Sequence, residues 1–157
     1  MNAIKVLKIV SLLVLGILTG WLILLAFHAA RTVGITGAEF VVVIQILQGN
    51  HGAVTGVLTT AGLLFILILS FLVRKKKPES YLMLTSSIAI LLILVMWAAF
   101  INPVTLRMSA WTVDTIPGNW EDIQGRWVLY HYIVSVLSGI GFLTLVISSQ
   151  LDTSNAP

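Results

Sequence analysis

Three histidines are the residues of this sequence best suited to chemistry. They are His28, His51 and His131, and the chain has no cysteine, which excludes disulfides, zinc–thiolate sites and cysteine nucleophiles. An imidazole can exchange a proton near neutral pH and can bind zinc, copper or iron. The histidines are too far apart in sequence for a short helical metal motif, so any common site depends on the fold.

The composition of the chain indicates a membrane protein. Of its 157 residues, 58% are hydrophobic and 10% are charged, whereas about a quarter of the residues in a soluble domain are charged. A surface with so little charge must face lipid. The basic residues cluster at the ends of apolar segments and form no polar stripe, which argues against nucleic acid as a partner.

Four apolar stretches are long enough to cross a bilayer, which takes roughly 20 residues of α-helix. They lack the alternation of a β-barrel, and backbone in lipid must satisfy its own hydrogen bonds. We therefore predict an all-α membrane protein in which residues 1–157 form a single bundle of four transmembrane helices. The predicted spans are about 9–27, 53–73, 81–102 and 127–148.

The two longer connections carry most of the polar residues. In the first, about 28–52, the apolar run 41–47 predicts a short helix, at the bilayer interface or folded back on the bundle. A strand is the alternative, because Val and Ile dominate the run. The tryptophans of the second connection, about 103–126, are typical of the headgroup layer, and the alternative is an aromatic lid over a pocket.

Lysine and arginine predict the orientation, because the side richer in them is usually cytoplasmic. Both termini are then predicted to lie in the cytoplasm, in a multi-pass protein of the cell membrane. The richer side holds Lys5, Lys8, Arg74, Lys75, Lys76 and Lys77, and the other side holds Arg31, Arg107 and Arg126.

This topology brings the three histidines to a similar depth at the extracytoplasmic end. His28 ends the first span, His51 begins the second, and His131 lies about one turn inside the fourth. Together they predict a site for copper, iron or zinc, or for haem held axially by two of them. The alternative is that each histidine separately faces headgroups or water. His131 is the strongest single candidate, because an ionisable group inside a span usually points to a partner or a cavity.

The second half of the chain contains three short motifs. They are Asn102-Pro103 at the end of the third span, Trp111 after it, and Arg126-Trp127-x-x-x-His131 at the start of the fourth. In these motifs the segment 100–145 resembles the C-terminal half of the anthrone-oxygenase-like membrane family. The chain departs from the family pattern at Thr105, where an asparagine is frequent, and at Val134, where an arginine is frequent.

The resemblance implies an oxygenase that acts on small apolar or aromatic, polyketide-like substrates. We predict catalytic roles for His131, Asn102 and Arg126, and cofactor-binding roles for Trp127 and Tyr130. Asn102 has a structural alternative, as the cap of the third helix before Pro103. The alternative function is that of a non-catalytic membrane subunit or a protein that binds lipid or quinone, in a homo-oligomer or with a membrane partner.

Overall fold

The protein is a bundle of long α-helices. The computed structural model describes the backbone of residues 3–75 and 77–153, and the side chains of residues 4–47, 52–75 and 77–151. Within these ranges there is no β-strand. The α-helices are α1 (Ala3–Ala30), α2 (Gly37–Leu72), α3 (Lys77–Met96), α4 (Asn102–Ser109) and α5 (Trp120–Thr153); a π-helical turn (Trp97–Ile101) joins α3 to α4, and a 3-10 turn (Val113–Thr115) precedes α5.

Four helical segments are long and apolar enough to cross a membrane, which confirms the predicted all-α membrane bundle. The shortest has 21 residues and rises roughly 32 Å, close to the hydrocarbon thickness of about 30 Å. Large side chains such as Phe27 and Val57 are 66% and 69% exposed on the outer surface, where lipid can cover them. The four segments are Ile4–Ala30, Gly52–Leu72, Lys77–Ser109 and Trp120–Leu151.

The long helices form a closed ring around one core. α1 packs against α2 and α5, and α3 packs against the same two helices, so that α1 and α3 are diagonal neighbours. Serine hydroxyl groups form hydrogen bonds between α5 and its neighbours α3 and α1. Ser86 Oγ of α3 donates to the Gly141 carbonyl at 2.8 Å, and Ser135 Oγ of α5 donates to the Leu22 carbonyl of α1 at 2.8 Å. Such small side chains let helix backbones approach closely.

The bundle has two chemically different ends. At the first, which we call the lysine end, α1 and α3 begin and Lys8 contacts Glu79 across the ring. At the second, which we call the histidine end, α1 ends near His28 and α5 begins. An apolar core that includes Leu18, Leu69 and Ile90 fills the bundle between them.

The first connection is mostly helix. After α1 the chain turns through Gly34, whose φ of 85° lies in the left-handed region that favours glycine. Thr36 then caps α2: its side chain accepts a hydrogen bond from the Glu39 backbone at 3.4 Å, and the Glu39 carboxylate accepts one from the Thr36 backbone at 2.8 Å. The Thr36 hydroxyl also donates to this carboxylate at 2.8 Å, and the two bonds from the Thr36 backbone and hydroxyl hold the pKa of Glu39 below its ordinary value of 4.5.

The apolar run of the first connection lies in the helix Gly37–Leu47, which confirms the helical alternative. The strand alternative is wrong, because the capping box at Thr36 satisfies the exposed amide groups of a helix start. The segment is also not separate from the second span. α2 continues through Gly49 and Asn50 without a break and ends at Leu72.

The third span does not end before Pro103. In the π-helical turn, the Asn102 backbone N–H donates to the Trp97 carbonyl, five residues back, and α4 continues to Ser109. The hydrogen-bond pattern changes back from π-helical to α-helical at Pro103, which has no N–H to donate. The proline therefore removes no bond that the helix needs at this point, and the helix continues through it. Asn102 therefore does not cap the third helix; its backbone is helical, with φ −61° and ψ −46°.

Candidate ligand pocket

A mostly apolar pocket lies within the histidine half of the bundle, and the empty space in and around it, including the part open to the surroundings, is about 720 Å³. α1, α2, α5 and the segment around the π-helical turn all contribute to its wall. The apolar part of the wall consists of Leu22, Leu25, Ile44, Leu47, Ile93, Ile101 and Val134, and the polar and aromatic part consists of His28, Thr55, Trp97, Asn102, Thr105, Trp127 and His131.

An aromatic cluster closes the bundle above this pocket, and we call it the aromatic cap. Phe40 lies at its centre, with ring centroids 5.5 Å from Trp120, 6.4 Å from Trp111 and 6.5 Å from Trp127. Phe40, Trp111 and Trp127 are all buried. Burial of Trp111 and Trp127 in this cluster is what the alternative of an aromatic lid over a pocket predicts for these two side chains.

His131 is held in one orientation on the wall of the pocket. Its Nδ1 lies 2.9 Å from the Trp127 carbonyl, and its ring packs edge-on against the Trp127 indole at 4.4 Å. Because a carbonyl can only accept a hydrogen bond, Nδ1 must carry a proton. In the neutral imidazole this leaves the lone pair on Nε2, the nitrogen that can act as a base or bind a metal.

His28 and Asn102 bring further unsatisfied polar groups to the same pocket. The Nδ1 atom of His28 is buried and has no hydrogen-bond partner among the described residues. The side-chain amide of Asn102 also makes no hydrogen bond within the described part of the chain. A molecule in the pocket could therefore pair with an imidazole nitrogen on α1 and an amide beside the π-helical turn.

Two glycines of α2 make room for the segment opposite. A Cβ atom on Gly56 would lie 3.2 Å from the Trp97 ring, and one on Gly52 would lie 3.7 Å from Asn102 Oδ1. Gly56 therefore lets the outer edge of the Trp97 indole approach the α2 backbone closely. Neither Trp97 nor Gly56 was predicted as a site residue from the sequence.

Four of the predicted site residues line this pocket. They are His28, Asn102, Trp127 and His131. The shared depth that the topology predicted for the histidines thus corresponds to a shared cavity for two of them. His51 belongs to α2 by its backbone, next to the pocket residue Gly52, but its side chain lies outside the described residues.

Two other predicted site residues are not part of the pocket wall. Arg126 is exposed, and its Nε donates to the Asp122 carbonyl one turn earlier in α5. Tyr130 is half-buried and packs against Phe100, with ring centroids 5.7 Å apart. The described residues contain no group of three or more histidine, aspartate or glutamate side chains arranged to hold a metal ion.

Comparisons of the chain with protein-family models, with curated proteins and with solved structures give no match. The pocket and the residues around it are therefore the basis for the functional argument.

Proposed function

We propose that this membrane protein is an oxygenase of the kind that its resemblance to the anthrone-oxygenase-like family implies. Its substrate would be a small, flat and mostly apolar molecule that carries ring oxygens. The observation that carries the proposal is His131, whose proton is held on Nδ1 by the Trp127 carbonyl, in the wall of a largely apolar pocket. A base of this kind can remove a proton from a carbon that an adjacent carbonyl activates.

The pocket residues suggest how the substrate would be held. Trp97 and Trp127 offer flat aromatic surfaces, and the amide of Asn102 can donate a hydrogen bond to a ring carbonyl as negative charge develops there. With the simple tricyclic ketone anthrone, His131 Nε2 would take a proton from the central methylene carbon. Dioxygen would then oxidise the carbanion, and anthrone plus O₂ would give anthraquinone plus water.

The proposal is tested with anthrone and the purified protein in detergent. Binding is followed without oxygen through the tryptophan fluorescence, and anthraquinone formation is followed by absorbance after oxygen is admitted, with a protein-free reaction to correct for spontaneous oxidation. In His131→Asn the side-chain amide can still donate to the Trp127 carbonyl, but the base is gone. We expect this variant to bind anthrone and to lose about 100-fold or more of the rate. Equal rates in variant and parent would refute the assignment of the base.

A metal ion is a separate hypothesis for the same site. The unpartnered Nδ1 of His28 and the Nε2 atom of His131 suit a ligand role, and the hydrogen bond on Nδ1 of His131 is typical of a metal-bound imidazole. A bound copper or iron ion could activate dioxygen. Elemental analysis with an absorption spectrum, repeated for His28→Ala and His131→Ala, tests this. Metal-free parent protein, or unchanged metal content in both variants, would exclude it.

The second candidate function is binding without catalysis. The Asn102 amide and the His28 imidazole can each donate a hydrogen bond into the pocket. This pair of donors favours the binding of a molecule that has a carbonyl group at each of its two ends. A quinone has this form. Saturable quenching of tryptophan fluorescence by a short-chain ubiquinone, together with failure to oxidise anthrone, would support this function over the oxygenase.

A further inference from the structure

Hydrogen bonds join α4 to α5 beside the pocket. The indole Nε1 of Trp127 donates to Thr105 Oγ1 at 2.8 Å, and the Thr105 hydroxyl donates to the Ile101 carbonyl at 2.7 Å. The Trp127 carbonyl in turn accepts the bond from His131 Nδ1 at 2.9 Å. Thr105 is therefore linked to His131 through one intervening residue.

The chemistry of the partners fixes the direction of these bonds. An indole N–H can only donate, and a backbone carbonyl can only accept. The group between Trp127 and Ile101 must therefore accept one hydrogen bond and donate another, as a hydroxyl can. Serine offers the same group at position 105, whereas valine has nearly the shape of threonine and offers no hydrogen bond.

Trp127 connects the Thr105 hydroxyl to the His131 imidazole through side-chain packing as well as through hydrogen bonds. The Trp127 side chain is only 4% exposed, and its ring contacts both Phe40 of the aromatic cap and His131. An indole N–H that loses its acceptor in such a place is left buried and unpaired, which favours a rotation of the ring towards another acceptor. Rotation would remove the surface on which the His131 ring rests.

We infer that Thr105 is a positioning residue for His131 and that it acts through Trp127. The inference rests on the proposed function, because it gives Thr105 a part in holding the proposed base. Ile101, the acceptor of the Thr105 hydroxyl, is the last residue of the π-helical turn. The hydrogen bonds through Thr105 and Trp127 thus connect His131 on α5 to the π-helical turn that carries Trp97 and precedes Asn102. They fix the position of one wall of the pocket relative to the other.

The test compares Thr105→Ser with Thr105→Val. The nitrogen shifts of ¹⁵N-labelled histidine report which imidazole nitrogen of His131 carries the proton, and His131→Asn assigns the signal. We expect the parent and Thr105→Ser to show protonated Nδ1, and Thr105→Val to show a mixture of tautomers. For anthrone oxidation we expect Thr105→Val to lose about 10- to 100-fold in kcat with a smaller change in KM, and Thr105→Ser to restore the rate.

A second variant keeps the test decisive if Thr105→Val does not fold. Trp127→Phe keeps an aromatic ring but loses the hydrogen bond to Thr105 that fixes the rotation of the ring, and it should shift the His131 tautomers in the same way. Parent-like tautomers in whichever of these variants folds would overturn the inference. The tautomer measurement needs no ligand, so it decides the role of Thr105 even if the parent protein neither binds nor oxidises anthrone, the result that would refute the proposed function.

Discussion

Lys8 and Glu79 form an ion pair inside the lysine end of the bundle. Nζ and Oε2 lie 3.2 Å apart, and the two side chains are 7% and 4% exposed. A buried charge is tolerated when a partner and further hydrogen bonds compensate its loss of water, and removing one partner leaves the other uncompensated. This pair joins the diagonal helices α1 and α3, which otherwise contact each other little.

We expect the single variants Lys8→Met and Glu79→Met each to lower the free energy of unfolding by about 3–5 kcal/mol, because each removes one partner of a buried ion pair. The double variant should recover most of the loss, because methionine fills similar volume without a charge. Reversible unfolding in mixed detergent micelles measures the three changes. Losses that simply add in the double variant would show that the two side chains do not stabilise each other.

Arg126 provides a second test at the scale of a residue. The sequence pattern gave it a catalytic role, but it is exposed and bonded to its own helix. Since it does not reach the pocket wall, we expect Arg126→Gln to oxidise anthrone within about threefold of the parent rate, well short of the 100-fold or greater loss expected from removing a general base. A loss as large as that of His131→Asn would instead restore its place in the site.

Helix geometry explains which site residues could be predicted from the sequence. The topology correctly brought His28 and His131 towards one depth. A helix turns about 100° per residue, so Trp127 lies about 40° from His131 around the axis of α5, whereas Arg126 lies about 140° away. Rotation of each helix about its own axis is set by packing between helices, which the sequence did not give. The same applies to Trp97, whose position depends on the π-helical turn.

At the scale of an element, the π-helical turn sets the direction of the Trp97 and Asn102 side chains. Pro103→Ala restores a backbone N–H and should let the segment relax towards a regular α-helix. We expect the free energy of unfolding to rise by about 1–3 kcal/mol, because proline is unfavourable within a helix, while anthrone binding weakens. Chemical unfolding and fluorescence titration measure the two effects.

Pro78→Ala is the matched control for this variant. Pro78 lies in the first turn of α3, where the amide has no partner within the helix and proline is well tolerated. We expect neither stability nor binding to change much. If Pro103→Ala behaves in the same way, the proline does not maintain the π-helical turn.

The start of α2 should depend on pH. The Thr36 backbone and hydroxyl stabilise the Glu39 carboxylate and lower its pKa in the folded protein. A lowered pKa means that this stabilisation is present above the unfolded value of 4.5 and is lost as the pH falls through the folded value. Glu39→Gln should therefore lose less thermal stability than the parent between pH 6 and about pH 3. An equal loss in both proteins would contradict this role of Glu39.

For the whole molecule, we propose the orientation that the basic residues indicate, with the lysine end in the cytoplasm. The chain has no cysteine, so single cysteines can be placed cleanly at the exposed positions Val33, Val113 and Pro78. In intact cells a membrane-impermeant maleimide should label Val33→Cys and Val113→Cys, and it should label Pro78→Cys only after the membrane is permeabilised. Labelling of Val33→Cys and Pro78→Cys from the same side would overturn the four-span topology.

The ion pair at the lysine end also bears on how the protein is assembled. Lys8 is synthesised 71 residues before Glu79, so the first helix enters the bilayer with a cation near its amino-terminal end before Glu79 exists. That cation can help to retain the amino terminus on one side while the chain is still being made. The contact with Glu79 forms only when α1 and α3 meet, so in the proposed orientation the side chain that first guides insertion would later stabilise the finished bundle.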